Sequence, residues 1–475
     1  MSVLHPFRAL RPTPAAAADV VCPPYDVISV REARALAQGR PDCFLRVVRP
    51  EVDLPEGIDE HDDQVYATGA ANLDALRRSP RFERDDAPAL YVQQLIMGDH
   101  TQTGIFGCVS VDEYDQGLIV RHENTRQDKE DDRTRHIVEQ RAHAEPVLLA
   151  FPDDDAVLAH MDAATQGPPL IEVTVQGVTH RLWKIDAPQA LVDAFAAVPR
   201  LYIADGHHRC KASSRTAAAL RGTPAWTDEV AFFPAVIFPL SQLRILPYHR
   251  LLRSLPGSRA EFARAVDARL GGLVWNPPPV PLHPGQVSFY MGGELGWHGA
   301  TLPPTTRDLV SDTLDVARLA EHVFEGLLGI TDPRTDARLA FVGGIRGPAA
   351  LEEAVDHGEA EVGIAMHPTR IEDWIAVSDA GLLMPPKSTW FEPKLISGLL
   401  IHDWDDGTPA PAAKKAAPGK APARKAPAKK APAEASVPEA PPAPAPRKAA
   451  PKKAPAAAAA ADTPSPPARR GGKKA

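Results

Sequence analysis

The chain has 475 residues, of which 44% are hydrophobic and 24% charged, so it holds enough apolar residues to build a core across two or three domains. No apolar run approaches the roughly 18 residues of a membrane-spanning helix and Met1–Leu10 lacks a leader pattern, so a cytoplasmic protein with no membrane partner is expected. The net charge of −8 is uneven: residues 410–475 hold 15 Lys and Arg against 3 Asp and Glu, a net +12, which leaves −20 on residues 1–409.

In chain order, Pro23 and Pro24 hold the backbone extended and display Tyr25 and Asp26 on a stiff loop. Ser29 then caps a helix, with Glu32 at the capping-box position. Residues 41–50 read as a strand through Cys43–Val48, and a helix is expected near Tyr66–Arg78. Ala89–Ile96 and Thr103–Val111 read as a strand pair joined by a hairpin loop over Met97–Thr101. Leu118–Val120 would deliver Arg121-His122-Glu123-Asn124-Thr125-Arg126 to a sheet's end, with Glu123 as a candidate general base. The run Lys129-Glu130-Asp131-Asp132-Arg133 reads as a solvated face. A helix over His136–His143 ends before Pro146, and Val147–Phe151 is an apolar strand. Asp153, Asp154 and Asp155 read as helix capping, because three consecutive carboxylates point in different directions.

Residues 170–184 are strand-like, and Ala187–Val198 reads as a helix. Leu201–Ala204 is short enough for a strand and Ala212–Leu220 reads as a helix, so Asp205-Gly206-His207-His208-Arg209 occupies a strand-to-helix turn. Such a turn suits a phosphate. Gly206 allows close backbone approach, the first helical N–H groups are unpaired, and Arg209 can clamp an oxyanion. The paired imidazoles add donors or a proton shuttle. A plainer reading stays open, in which Asp205 caps the helix and the histidines face solvent.

Further on, Phe232–Leu240 reads as a strand followed by the pair His249-Arg250, and Ser258–Leu270 as a helix. Residues 287–300 alternate like a strand pair, and Leu314–Leu328 is an amphipathic helix ending at Gly329. Thr331-Asp332-Pro333-Arg334 precedes a strand over Leu339–Gly344. The proline-stiffened stretch Met384–Lys394 offers Lys387, Ser388 and Thr389, with Trp390 as a shield against water. Beyond Asp406 the Ala, Pro and Lys composition cannot bury a core. A disordered tail is expected there, either solubilising or binding nucleic acid in a salt-dependent way. The parts are placed at 1–150, carrying the Pro-Pro-Tyr-Asp and His-Glu-Asn-Thr stretches, 151–409, carrying Asp-Gly-His-His-Arg, and the tail 410–475. Cys22, Cys43, Cys108 and Cys210 have no metal-ligand spacing, which argues against zinc.

Five stretches in this order, Pro23–Ile28, His122–Thr125, Ala204–Arg209, Thr331–Arg334 and Pro386–Phe391, resemble the signatures of the family catalogued as domain of unknown function 1015, over about residues 3–403. The Asp205–Arg209 turn alone is similar to the phosphate-binding turn of the ParB and sulfiredoxin superfamily, which includes free-serine kinases. That resemblance implies an α+β fold with a ParB/sulfiredoxin-like nucleotide-binding core. It points to Gly206, His208 and Arg209 as phosphate contacts, and to Asp205 as orienting a histidine or meeting a metal. It also implies ATP or ADP with Mg²⁺, a small-molecule substrate, and a carboxylate base for which Glu123 stands first and Asp26 second. His207 joins the catalytic candidates, and Tyr25, His122, Thr125, Arg126, Lys387, Thr389 and Trp390 the pocket. Neither a Walker-type loop nor a protein-kinase motif set is present. The expected activity is a phosphotransferase acting on a small hydroxylated metabolite, free L-serine first. The alternatives are a ParB-like nucleotide switch whose tail engages DNA, and a phosphomonoester hydrolase using His207 and His208.

Overall fold

Alternation of apolar side chains along short branched and aromatic runs builds the larger sheet of the computed structural model, which describes residues 2–405. Its strands are Leu90–Met97 (β1), His100–Ser110 (β2), Ile119–Val120 (β3), Val147–Phe151 (β4), Ile171–Val175 (β5), Val178–Ile185 (β6), Leu201–Asp205 (β7) and Phe232–Pro239 (β8). They lie in the order β3-β7-β4-β8-β2-β1-β6-β5, with β3–β7 and β4–β8 parallel and the other neighbours antiparallel. Along the central strands Leu148, Tyr202 and Val236 face one apolar cluster, while Leu149, Ile203 and Ile237 face another. Both faces are covered, so these strands read as continuous apolar runs. The expected hairpin is present, turning on Gly98 at φ 60. Residue 150 lies inside β4, and the sheet draws strands from both sides of it.

A second, wholly antiparallel sheet contains Tyr248–Leu252 (β9), Val274–Trp275 (β10), Gln286–Tyr290 (β11), Trp297–Thr301 (β12), Leu339–Gly343 (β13) and Val362–Met366 (β14). Its order is β10-β12-β11-β14-β9-β13. Phe289 and Ile364 from this sheet and Tyr202 and Phe238 from the first share one core cluster. The architecture is mixed α+β, as expected. No helix of the described residues is long and apolar enough to cross a membrane.

The helices that position the site are Val30–Ala37 (α1), Asp63–Arg77 (α2), Gln127–Gln140 (α3), His207–Leu220 (α4) and Ile371–Asp379 (α5). Ser29 and Glu32 close the expected capping box on α1, and Asp154 caps the helix Asp155–Ala164 by accepting from Ala156 and Val157 N–H. The helix expected over Leu314–Leu328 runs from Asp315 to Leu328 with a π-helical stretch at Ala320–Glu325, and ends at Gly329 with φ 63.

Two expectations are corrected. Cys43–Val48 is not a strand: Leu45–Val48 is a helical turn followed by a 3₁₀ turn at Pro50–Asp53. Phe44, Leu45, Val47 and Val48 are all buried, and a short continuous apolar run looks the same in a buried helix as in a strand. Nor is Lys129–Arg133 a solvated face. α3 begins at Gln127 rather than His136, which turns Glu130, Asp132 and Arg133 into the protein.

The end of the described chain is stitched across its beginning. Single bridges join Leu10 to Ile401 and Cys22 to Ser397, and His402–Asp403 pairs with Ala142–His143. The tail expected at 410–475 lies outside the described residues.

Candidate functional site

The turn between β7 and α4 is built by a register shift and a glycine. Between Ile203 and Asp205 the pairing with β4 slips by one residue, a bulge that re-aims Asp205. Gly206 follows at φ 101 as the N-cap of α4, and no side chain caps the helix. A Cβ at Gly206 would meet Val147 Cγ1 at 3.0 Å and Arg209 Nε at 3.2 Å. Gly206→Ala is therefore expected to cost about 1–3 kcal/mol, checked by denaturant unfolding, because both the backbone region and the space exclude a side chain.

Asp205 is the electrostatic centre. Its Oδ2 accepts from Arg209 Nη2 at 2.7 Å and its Oδ1 from Lys394 Nζ at 3.1 Å. Burial pushes this carboxyl up, but Lys394 and Arg209 outweigh it and hold it at about 2. Arg209 is buried and committed, since its other terminal nitrogen donates to the Pro146 carbonyl. The exposed Asp26 acts electrostatically on His208, Arg209 and Lys394. Tyr25, beside it, is buried under Arg133, whose guanidinium sits 4.0 Å from the ring centroid. Tyr25 N–H donates to Glu145, which also accepts from Ser397 Oγ at 2.7 Å.

Glu123, unlike Asp205 and Glu145, takes no hydrogen bond on its side chain among the described residues, and unlike the exposed Asp26 it is half-buried. Burial raises its pKa, Lys387 and Lys394 act against that rise, and Asp205 adds to it. Its neighbour His122 is fixed: Trp374 Nε1–H donates to Nδ1 at 2.8 Å, which leaves the proton on Nε2, 3.2 Å from Thr389 Oγ1. Burial lowers the His122 pKa well below the usual histidine range. His207, likewise lowered by burial to about 3, accepts the His122 backbone N–H at its Nε2 (3.4 Å) and stands edge to face with the His122 ring. His208 Nε2 accepts from Arg126 N–H at 3.1 Å. Both imidazoles are thus neutral acceptors at these nitrogens.

The fold brings together Asp26, Glu123, Asp205 and Lys387 electrostatically, and joins His122, Thr389, His207, His208 and the Arg126 backbone by hydrogen bonds. The Arg126 side chain points away and pairs with Asp128, and Thr125 Oγ1 donates to Glu130. Trp390 donates to Glu392 at 2.7 Å and lies beneath Lys394. Thr331–Arg334 forms its own exposed Asp332–Arg334 pair. Lys394, Glu392, Glu145 and Arg133 escaped the sequence reading. Lys394 and Glu392 stood in a stretch singled out for its neighbours, and Glu145 carries no motif. Among the described residues, no group of three or more His, Cys, Asp or Glu could hold a metal ion.

No curated protein matches the sequence. Among solved structures, a free serine kinase in complex with AMP is 12% identical, covering 60% of this chain and 86% of that one at a TM-score of 0.29. A C-terminally truncated SbnI from Staphylococcus aureus is 13% identical, covering 60% and 82% at 0.32. A conserved hypothetical protein from Pyrococcus furiosus is 13% identical, covering 62% and 93% at 0.27. At these scores the superpositions fix neither the fold nor the chemistry of this chain. The profile of one family matches residues 4–317, a stretch that takes in the Tyr25–Asp26 loop, His122–Arg126 and the Asp205–Arg209 turn; the chain belongs to the family described as protein of unknown function (DUF1015).

Proposed function

We propose that this chain transfers a phosphoryl group from a nucleotide to the hydroxyl of a small metabolite, with free L-serine the first acceptor to test. The observation that carries this reading is Glu123, a half-buried carboxylate with no hydrogen bond of its own, raised pKa and two lysines acting on it, close to the uncapped N-terminus of α4. A carboxylate of raised pKa is a better base for a hydroxyl proton than an ordinary one, and an open helix N-terminus favours phosphate. In the transfer, Glu123 takes the hydroxyl proton as the substrate oxygen bonds to the terminal phosphorus. The bond from that phosphorus to the bridging oxygen breaks, and the nucleotide leaves one phosphate shorter. Positioning and electrostatics supply most of such a reaction. Mg²⁺, when bound, would offset phosphate charge. Asp205 is the carboxylate of the turn that would hold it alongside phosphate oxygens and water, through the Oδ1 that Lys394 occupies here.

In the hydrolase alternative the pair would act through Nδ1, because both Nε2 atoms already accept backbone N–H groups. The test is to incubate the full chain with ATP or ADP, Mg²⁺ and a panel of hydroxylated metabolites, following nucleotide consumption. Turnover that requires an acceptor supports the proposal. Tight nucleotide binding without acceptor-dependent turnover would replace it with a nucleotide switch, and phosphate release from phosphoserine without nucleotide would replace it with a hydrolase.

A further inference from the structure

Five cations surround the β7–α4 turn, and their commitments differ. Arg121 is exposed and acts electrostatically on His207. Arg209 is buried, with one terminal nitrogen on Pro146 O and the other on Asp205. The Arg126 side chain is 72% exposed and pairs with Asp128. Lys387 is exposed, with Nζ 5.5 Å from the Tyr248 ring centroid. Lys394 is different: its side chain is only 17% exposed, and its Nζ makes one hydrogen bond, to Asp205. An ammonium has three donors, so two remain.

The backbone beneath Lys394 is held. Glu392 Oε2 accepts from Lys394 N–H at 3.0 Å and Glu392 Oε1 from Trp390 Nε1–H at 2.7 Å, so one carboxylate fixes both the lysine and the indole under it. Nζ lies 4.9 Å from the Trp390 ring centroid. Asp205 keeps Arg209 if Lys394 leaves, so departure of the lysine does not strand a buried carboxylate.

We infer that Lys394 is the phosphate-binding cation of this site and reaches the phosphate by exchanging its Asp205 contact for the ligand; this rests on the phosphotransferase reading. A phosphate, with more charge and more acceptor oxygens than a carboxylate, draws the ammonium away, while Arg209 stays as the anchor that holds Asp205 in place. The exchange frees Asp205 Oδ1 only when phosphate is present, so the site keeps its charges paired until its ligand arrives.

Calorimetry on the full chain tests this with ADP and adenosine as probes, comparing wild type with Lys394→Met. The expected result is a Kd for ADP raised roughly 10- to 100-fold with adenosine affinity unchanged. Equal ADP affinity in the two proteins overturns the inference and leaves the phosphotransferase reading standing. Absence of ADP binding by the wild type overturns both. In case Lys394→Met does not fold, wild-type protein treated with an amine-acylating reagent gives the same answer by mass spectrometry. ADP should protect Lys394 from acylation, and unchanged labelling under saturating ADP overturns the inference.

Discussion

Glu123→Gln is expected to lower kcat by about 10²–10⁴-fold while nucleotide affinity stays within a few-fold of wild type. The amide keeps the shape of the side chain and removes only its capacity to take a proton. Structural damage is not expected, because no hydrogen bond to Glu123 is lost. The sign of the stability effect strengthens the test. The folded-state pKa of Glu123 is raised by burial, so the unfolded chain ionises first as pH rises, and ionisation works against folding above the unfolded value near 4.3. At neutral pH the variant should therefore be at least as stable as wild type by denaturant titration. In the wild type, kcat/KM should rise with pH along an acid limb centred above the ordinary carboxylate range, and residual activity of the variant should lack that limb. Loss of activity together with loss of stability would instead mark Glu123 as a structural residue.

Asp205→Ala is expected to destabilise the protein by about 3–5 kcal/mol, because it leaves Arg209 and Lys394 without their shared counter-ion. Asp205→Asn should recover little of this, since it restores shape without charge. The pH dependence follows from the depressed folded-state value. Asp205 is held at about 2 against about 3.9 unfolded, so its contribution is fully present above pH 4 and lost as pH falls toward 2. Wild type should weaken over that window and the alanine variant should weaken less. Equal acid sensitivity in the two proteins would mean that this ion-pair bridge contributes nothing to the fold.

The local parts of this architecture were legible in the amino-acid order, because caps and turns are written within a few residues. Ser29 with Glu32, Asp154, Gly206 and Gly329 each do what their local context predicts. The misreadings arose where tertiary packing decides. Arg133 looked solvated amid its charged neighbours, yet it lies over Tyr25, more than a hundred residues away. Lys394 meets Asp205 across 189 residues, a separation that no spacing rule covers. Cys43–Val48 was ambiguous by chemistry, since a buried turn and a buried strand use the same side chains. The strand-to-helix junction was legible at Gly206, but the helix begins at His207 rather than Ala212, so His207, His208 and Arg209 form its first turn, and the commitment of Arg209 to Pro146 O could not be read from its type.

Ser397 bridges Cys22 and donates to Glu145, the residue beneath Tyr25, and Lys394 is built into the same late segment. The loop made first thus waits for a partner made some 370 residues later. At about 5–20 residues per second of synthesis that interval is on the order of tens of seconds. In the later part of it, once residue 209 is made, the nascent chain carries Asp205 and Arg209 without Lys394. A chain ended before residue 394 would leave Asp205 paired with Arg209 alone and Glu145 without its Ser397 contact, so the last residues made are the ones that complete the oldest loop's surroundings.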